Sequence, residues 1–371
     1  MPSSPAHIAL LVVLTGLLIG VVFGAVGRLS RFCTMGAIFD TMAMGDTHRL
    51  RLWVWAALVA LWGTQALGAA GLVDLPMSIY TQPRLLWLSQ AVGSLLFGAG
   101  MVFASGCGSR ALVRAGGGNL KSVVVLLVIG VVAQMSLRGI LAVPRSGWLD
   151  AVHLPLGMAQ DLPTLLATRL SLDAATLRGL CVLLVSLPAL AWLVRDRGFL
   201  RPLPLLAGLL VGGTVVAAWF ATGTLGYVAE HPDTLEPAWL ATGSRRPESL
   251  SFVTPLAHTL DLLTLWSDQN TRINFGIATV LGTLLGSMGV ALLRREFRWE
   301  GFRDPADMGA HLGGAAMMGF GGVLALGCSI GQGLSGLSTL SAGSFIAVPM
   351  LVLGCVLALR LQMRGLVFIR K

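Results

Sequence analysis

Charged side chains are scarce in this sequence. Asp, Glu, Lys and Arg make up 12% of its 371 residues, and hydrophobic residues make up 55%. A soluble domain carries charge on about a quarter of its residues. With so few charges the chain could not cover a water-exposed surface, which excludes an ordinary soluble protein. The mean hydropathy of +0.80 instead predicts a protein that crosses a lipid bilayer several times.

Lysine is nearly absent, although the net charge is +9. The only two lysines are Lys121 and Lys371, and the arginines lie between apolar runs rather than in one patch. Such spacing is typical of the loops that set membrane topology, whereas nucleic-acid-binding proteins concentrate basic residues on one face. We therefore expect no nucleic-acid partner.

Several motifs of enzyme and metal sites are also absent. The five cysteines form no CxxC pair, and no HExxH occurs. The glycine-rich stretch 116–122 lacks the Gly-Lys pair of a phosphate-binding loop. Cys181 and Cys355 lie in apolar runs, as packed thiols do. We expect no enzyme activity, no cofactor and no metal site.

The chain contains nine apolar segments near the roughly 20 residues needed to cross a bilayer. The N-terminal stretch lacks the basic residues of a signal peptide, so we expect the first segment to remain as a helix. Arg and Lys number 18 in the segments on one side and 7 on the other, which predicts the N-terminus outside and the C-terminus in the cytoplasm. The predicted spans are 8–27, 52–73, 85–104, 121–143, 179–194, 203–223, 273–293, 308–326 and 340–360.

One stretch of the sequence occurs twice. Residues 98–107 read GAGMVFASGC and residues 319–328 read GFGGVLALGC, with six of ten positions identical at an offset of 221. A weaker match relates 31–34 to 251–254 at an offset of 220. A long fixed offset indicates a duplicated unit.

The duplication divides the single membrane domain, 1–371, into two repeats. We place repeat one at 8–143, repeat two at 203–360, and a linker with the fifth span at 144–202. Because the second repeat begins five spans after the first, it is predicted to be inverted in the membrane. Inverted repeats are typical of transporters that bind substrate near the middle of the bilayer.

The repeated stretch ends in a cysteine among glycines in both copies. Cys107 lies between Gly106 and Gly108, and Cys328 follows Gly327. Glycine permits close backbone approach, and amides at a helix start suit an anion. The alternative is helix packing through small residues, which we favour for the glycines upstream. For the two cysteines at matched positions, and for Gly106, Gly108 and Gly327 beside them, we favour a role in a substrate pathway.

Three other polar residues are candidates for the substrate pathway. Cys33 follows the first span, and its repeat position holds Val253, so a packed thiol and a pathway thiol are equally consistent with the sequence. Gln332 could offer its amide to a substrate. Arg138 lies near the end of the fourth span, where snorkelling to the headgroups is favoured over balancing an anion.

The cysteine motifs resemble those of a known family. FGxGxxxxxGC around Cys107, its second copy around Cys328, and GRxSRFC around Cys33 are similar to motifs of the YeeE/YedE family of bacterial thiosulfate and sulfur transporters. The resemblance implies an all-α inner-membrane protein with nine spans, shorter re-entrant helices and inverted repeats. It also implies thiosulfate import past these three cysteines, often with a small cytosolic TusA-like sulfurtransferase as partner.

Thiosulfate suits this chemistry because it is a dianion with one soft sulfur atom and an oxygen-bearing end. A neutral thiol is a weak donor that can meet the sulfur without holding it tightly. The alternatives are transport of another sulfur or selenium species, or of a small neutral solute. A membrane thiol-redox enzyme is a further alternative, and the absence of a close cysteine pair counts against it.

Overall fold

The computed structural model describes residues 4–170, 173–196, 198–231, 235–268 and 271–364. The regular secondary structure is almost entirely helical, as predicted, with two short antiparallel strand pairs, β1–β2 and β3–β4. The strands are Arg84–Leu85, Leu154–Pro155, Tyr227–Val228 and Ala238–Trp239. The helices are α1 Pro5–Leu29, α2 Thr34–Ala43, α3 His48–Ala69, α4 Trp87–Phe103, α5 Gly108–Ala115, α6 Leu120–Leu137, α7 Ala142–Pro144, α8 Leu162–Leu170, α9 Ala174–Leu193, α10 Pro202–Phe220, α11 Val253–Thr264, α12 Phe275–Leu293, α13 Pro305–Leu324 and α14 Ala342–Met363.

Eight helical stretches in the described part of the chain are long and apolar enough to cross a membrane. They coincide with eight of the nine predicted spans, so the protein is a multi-pass, all-α membrane protein. The ninth prediction, 308–326, coincides with α13, which has 20 residues but is not among the eight. Its first turns carry Asp307 and His311, which lower its apolar character. Helix α13 packs against α4 and α6 in the interior.

The order of long and short helices occurs twice. Helices α1–α6 follow the order long, short, long, long, short, long, and the segment from α10 to α14 follows the same order when the short π-helical segment Gly331–Gly336 is included. The helices exchange partners between the halves. Helix α1 packs on α12 and α10 on α3, while α4 packs on α14 and α13 on α6. Each of these contacts therefore has a counterpart with the halves exchanged.

Glycines upstream of the two cysteines allow these helices to touch. A Cβ on Gly98 would lie 2.0 Å from the backbone oxygen of Leu351. At the repeat position, a Cβ on Gly319 would lie 2.8 Å from the backbone oxygen of Ile129. Since real Cβ atoms do not approach a carbonyl oxygen this closely, only glycine fits at these crossings. The packing interpretation of the upstream glycines is confirmed.

The linker between the halves is tied to loops at one end of the bundle. The backbone N–H of Gln160 donates to Thr81 O at 3.2 Å, and the N–H of Ala342 donates to Gln160 O at 2.9 Å. Leu162 N–H donates to Leu340 O at 3.0 Å. These bonds join the loop before α4, the linker and the start of α14. Within the predicted linker 144–202, residues 171–172 and 197 lie outside the described residues.

Candidate functional site

Cys33 lies where the chain turns between α1 and α2. Arg31 adopts a left-handed conformation with φ of 53°, and Cys33 is the N-cap of α2. Its Sγ accepts a hydrogen bond from the backbone N–H of Gly36 at 3.3 Å. A Cβ on Gly36 would lie 2.7 Å from Nη1 of Arg49. Glycine at this position therefore lets the Arg49 guanidinium reach the first turn of the helix that Cys33 caps.

Cys107 lies in the turn between α4 and α5, where it precedes a short helix as Cys33 does. Ser105 has φ of 57° and Gly106 has φ of 150°, a value in the region that only glycine adopts readily. Cys107 is the N-cap of α5, and its Sγ lies 3.2 Å from the hydroxyl of Ser109. Beside it, a Cβ on Gly108 would meet nothing closer than 4.0 Å.

Cys328 repeats the geometry of Cys33. The chain leaves α13 through Leu326, whose φ of 58° matches Ser105 at the repeat offset. The Sγ of Cys328 accepts a hydrogen bond from the N–H of Gly331 at 3.4 Å. A Cβ on Gly327 would lie 3.2 Å from the backbone nitrogen of Gln332, so this turn is tight.

The structure brings the three predicted cysteines into one cluster. Cys107 lies near both Cys33 and Cys328, and Cys355, a buried thiol predicted to serve in packing, also lies near Cys33 and Cys107. Their exposed fractions are 9% for Cys33, 1% for Cys107 and 0% for Cys328. All five cysteines in the described chain are free thiols. The arrangement is a short series of buried, unbridged thiols, each at the start of a helical turn.

One end of the series opens into a pocket of about 410 Å³, here called the Arg110 pocket. Cys33 lies in its wall, together with three arginines and one aspartate. Asp40 forms a salt bridge with Arg49 at 3.2 Å, so the pocket keeps a net positive charge. The charged lining residues are Asp40, Arg49, Arg110 and Arg114. Such a charge raises the local concentration of a small anion.

Sequence reasoning did not assign these arginines to the site. Arg110 and Arg114 follow Cys107 by three and seven residues and lie on the same short helix. This helical spacing from Cys107 is a local signal from which both arginines could have been predicted to lie beside the cysteine. Arg49 reaches Cys33 from a different helix through the missing side chain of Gly36, which no local pattern reveals.

A larger pocket of about 700 Å³ lies at a second place on the protein, here called the His258 pocket. Arg138 lies in its wall, and its Nη1 is 4.0 Å from Oδ2 of Asp261. Asp261 stands 221 residues after Asp40, so each pocket contains an aspartate of a short helix beside an arginine. Arg138 is at the end of α6 with its side chain 71% exposed, which agrees with its predicted place at a span end.

Gln332 lies close to Cys328 with both ends of its amide engaged. Its Nε2 donates to Ala325 O at 2.5 Å, and its Oε1 accepts from the Ser344 hydroxyl at 2.6 Å. The side chain is 1% exposed. These bonds tie the turn around Cys328 to the end of α13 and the start of α14. These two bonds leave one N–H of the amide unused, which a substrate could accept.

The chain is similar to a family of known proteins and to two characterised relatives. Residues 29–357 match the family model described as Sulphur transport, an interval that contains all three clustered cysteines. The chain is 26% identical over 359 residues to "Thiosulfate transporter TsuA" of Escherichia coli, covering 92% of each chain. It is 24% identical over 347 residues to "Thiosulfate transporter TsuA" of Spirochaeta thermophila, covering 92% of this chain and 96% of the relative.

Proposed function

Because this chain belongs to the sulphur transport family, we propose that it carries thiosulfate across a membrane. The family agrees with the predicted resemblance to YeeE/YedE proteins. Both relatives bear the name of a thiosulfate transporter and align along nearly the whole chain. The single observation that carries the proposal is the thiol series, in which Cys107 neighbours both Cys33 and Cys328 beside a positively charged pocket.

The series has the chemistry that a thiosulfate pathway requires. The Sγ atoms of Cys33 and Cys328 each accept a backbone N–H, which leaves their own S–H free to donate. A thiol is a weak donor, so each position can meet the ion and release it. Conduction needs several weak sites in succession, because one tight site would trap the ion.

The Arg110 pocket supplies the charge that the thiols lack. Guanidinium groups stay protonated and bind oxyanions through several N–H groups. An ion released from Cys33 would therefore meet a field that stabilises its two negative charges. The partial pairing of Arg49 with Asp40 limits how tightly the pocket can hold the ion.

We extend the proposal to topology and partners. The exchange of helix partners between the halves supports two inverted repeats, 8–143 and 203–360. With the N-terminus outside a bacterial inner membrane, the Arg110 pocket would face the cytoplasm, and transport would be import. A TusA-like sulfurtransferase would receive the ion there. The role requires no chemical conversion of the substrate, so we propose a transporter rather than an enzyme.

Uptake into proteoliposomes tests the proposal. Purified protein in sealed liposomes should accumulate ³⁵S-thiosulfate well above empty liposomes, and excess unlabelled thiosulfate should compete. Sulfate, selenite and a small neutral solute, each as competitor, distinguish the substrate alternatives. Reconstituted, correctly folded protein that takes up no thiosulfate would contradict the proposal, and competition by selenite alone would move it to a selenium species.

A further inference from the structure

Asp40 is a buried carboxylate in the wall of the Arg110 pocket. It lies on α2, is 7% exposed, and pairs with Arg49 of α3, with Oδ2 and Nη1 3.2 Å apart. The Arg49 side chain is 33% exposed, so water reaches this ion pair. Ion pairs in contact with water are weak. The Arg49 guanidinium can therefore exchange the Asp40 carboxylate for another anion.

The same guanidinium faces the Cys33 thiol. A Cβ on Gly36 would lie 2.7 Å from Nη1 of Arg49 and 3.5 Å from Sγ of Cys33. Both atoms thus border one small space, which the missing side chain of Gly36 leaves open. Cys33, Gly36, Asp40 and Arg49 all line the Arg110 pocket. The thiol and the guanidinium are close enough for one small ion in this pocket to contact both.

The Arg110 pocket has room for that ion. Its volume is about 410 Å³, and a water molecule occupies about 30 Å³ in the liquid. An ion of the size of thiosulfate therefore fits together with several waters. Arg110 lies in the wall of the same pocket and near Cys33. Two guanidinium groups can thus share the charge of a dianion beside this thiol.

We propose that thiosulfate binds in this pocket with its terminal sulfur on the Cys33 thiol and its oxygens on Arg49 and Arg110, and that Asp40 releases it by pairing again with Arg49. This inference rests on the proposed function, since it concerns the last site of the same pathway. Asp40 contacts Arg49 rather than the ion, so it is a positioning residue. When Arg49 returns to the carboxylate, the ion loses one of its two arginines.

The competition between Asp40 and the ion has a physical reason. Guanidinium groups bind oxyanions strongly, and a site that holds the ion too tightly stops conduction. A carboxylate that competes for one arginine lowers the affinity of the site and raises the rate of release. Affinity and release therefore depend on Asp40 in opposite directions.

The experiment compares Asp40→Asn with Asp46→Asn. Both variants keep the shape of the side chain and remove one negative charge. Asp46 is exposed and lies outside the pocket, and its Oδ1 accepts the N–H of His48 at 2.8 Å, a bond that asparagine keeps. We would measure KM and kcat for ³⁵S-thiosulfate in proteoliposomes. The rise in melting temperature at one fixed thiosulfate concentration gives an independent readout of affinity.

We expect Asp40→Asn to lower KM and kcat together, each roughly tenfold, because the ion is bound more tightly and released more slowly. Thiosulfate should also raise its melting temperature more than that of wild type. Asp46→Asn should behave as wild type. A purely structural role of Asp40 would not increase the affinity for thiosulfate. An unchanged or higher KM, without a larger rise in melting temperature, would overturn the inference.

Arg49→Gln tests whether Asp40 acts through Arg49. In an Arg49→Gln background, most of the affinity gained by Asp40→Asn should be lost. A gain that persists in full would overturn the inference, since Asp40 would then act on the ion by repulsion alone. If Asp40→Asn fails to fold, Arg49→Gln decides by itself: KM should rise, and an unchanged KM would overturn the inference. Wild-type protein that neither binds nor transports thiosulfate would instead refute the proposed function.

Discussion

The backbone oxygen of Gly93 lies 2.5 Å from the position that a Cβ would take on Gly321. The contact between Gly100 and Gly314 repeats this approach, since a Cβ on either residue would lie 2.6 Å from the oxygen of the other. Gly314 and Gly321 stand 221 residues after Gly93 and Gly100, so the two contacts are equivalent with the halves exchanged. Helices α4 and α13 thus run antiparallel with their backbones in contact.

Gly321→Ala should destabilise the protein, because neither backbone can move away from the added methyl group. Overpacking of this kind costs about 1–3 kcal/mol. Gly313→Ala is the matched control on the same helix, since a Cβ there meets nothing within 4 Å. Thermal unfolding in detergent, followed by tryptophan fluorescence, should give a lower midpoint for Gly321→Ala only. Equal midpoints for the two variants would show that the helices are not in backbone contact.

Cys107→Ala should abolish thiosulfate uptake while the protein stays folded. Cys107 is the neighbour shared by Cys33 and Cys328, so its removal interrupts the series at its centre. Cys181→Ala is the control, because Cys181 lies on α9, outside the cluster. Uptake into proteoliposomes, with reconstituted protein quantified, checks the prediction. Full uptake by Cys107→Ala would exclude a thiol pathway.

The same cysteines distinguish transport from a redox role. A thiol-redox enzyme would form a reversible disulfide among Cys33, Cys107 and Cys328, whereas all three are free in the described structure. Alkylation followed by mass spectrometry, under reducing and mildly oxidising conditions, should yield the same three free thiols. A disulfide that forms under oxidation and supports activity would favour the redox alternative.

Arg110→Gln should weaken transport by lowering the positive charge of the pocket that contains Cys33. The loss of one charge near the ion is worth roughly 1 kcal/mol, or about fivefold in uptake at low thiosulfate concentration. The salt dependence of uptake should also become shallower. Arg169→Gln, exposed on α8, removes the same charge away from the pocket and should change little. A similar loss in both variants would point to net charge rather than to the pocket.

The sequence predicted the helical parts of this fold well. Eight spans and the cysteine turns were visible because apolar length and the Gly-Cys repeat are local patterns. Both repeat positions, Gly98 and Gly319, hold glycine because no other residue fits those helix crossings. Hydropathy alone placed α13 among the spans, although its polar first turns separate it from the other eight.

The polar surroundings of the cysteines could not be predicted in the same way. Arg49 approaches Cys33 from helix α3, and Tyr80 approaches the turn that contains Cys328 from the loop before α4. The loop is positioned by backbone bonds with distant partners, such as Thr81 with Gln160. Backbone hydrogen bonds between distant residues do not require particular side chains, so no sequence pattern reveals them. Such residues become visible only once the long-range packing is known.

The stability of the protein should depend on pH through Glu248. It lies in the segment between β4 and α11, where burial raises its pKa above the ordinary 4.5, although Gly243 N–H and the Ser244 hydroxyl donate to the carboxylate at 3.0 and 2.7 Å. A carboxyl group whose pKa is raised by folding stabilises the fold fully below its unfolded pKa, and this contribution is lost as pH rises through the folded pKa. The cost of the buried charge therefore grows as the solution becomes less acidic.

The comparison with Glu248→Gln isolates this effect, because glutamine has nearly the same shape and does not titrate. We expect the melting temperature of wild type, relative to Glu248→Gln, to fall as pH is raised from about 4 toward neutrality. Other titrating groups contribute equally to both proteins and cancel in the difference. A difference that stays constant, or that rises with pH, would mean that the carboxyl group is not buried or that its bonds to Gly243 and Ser244 outweigh burial.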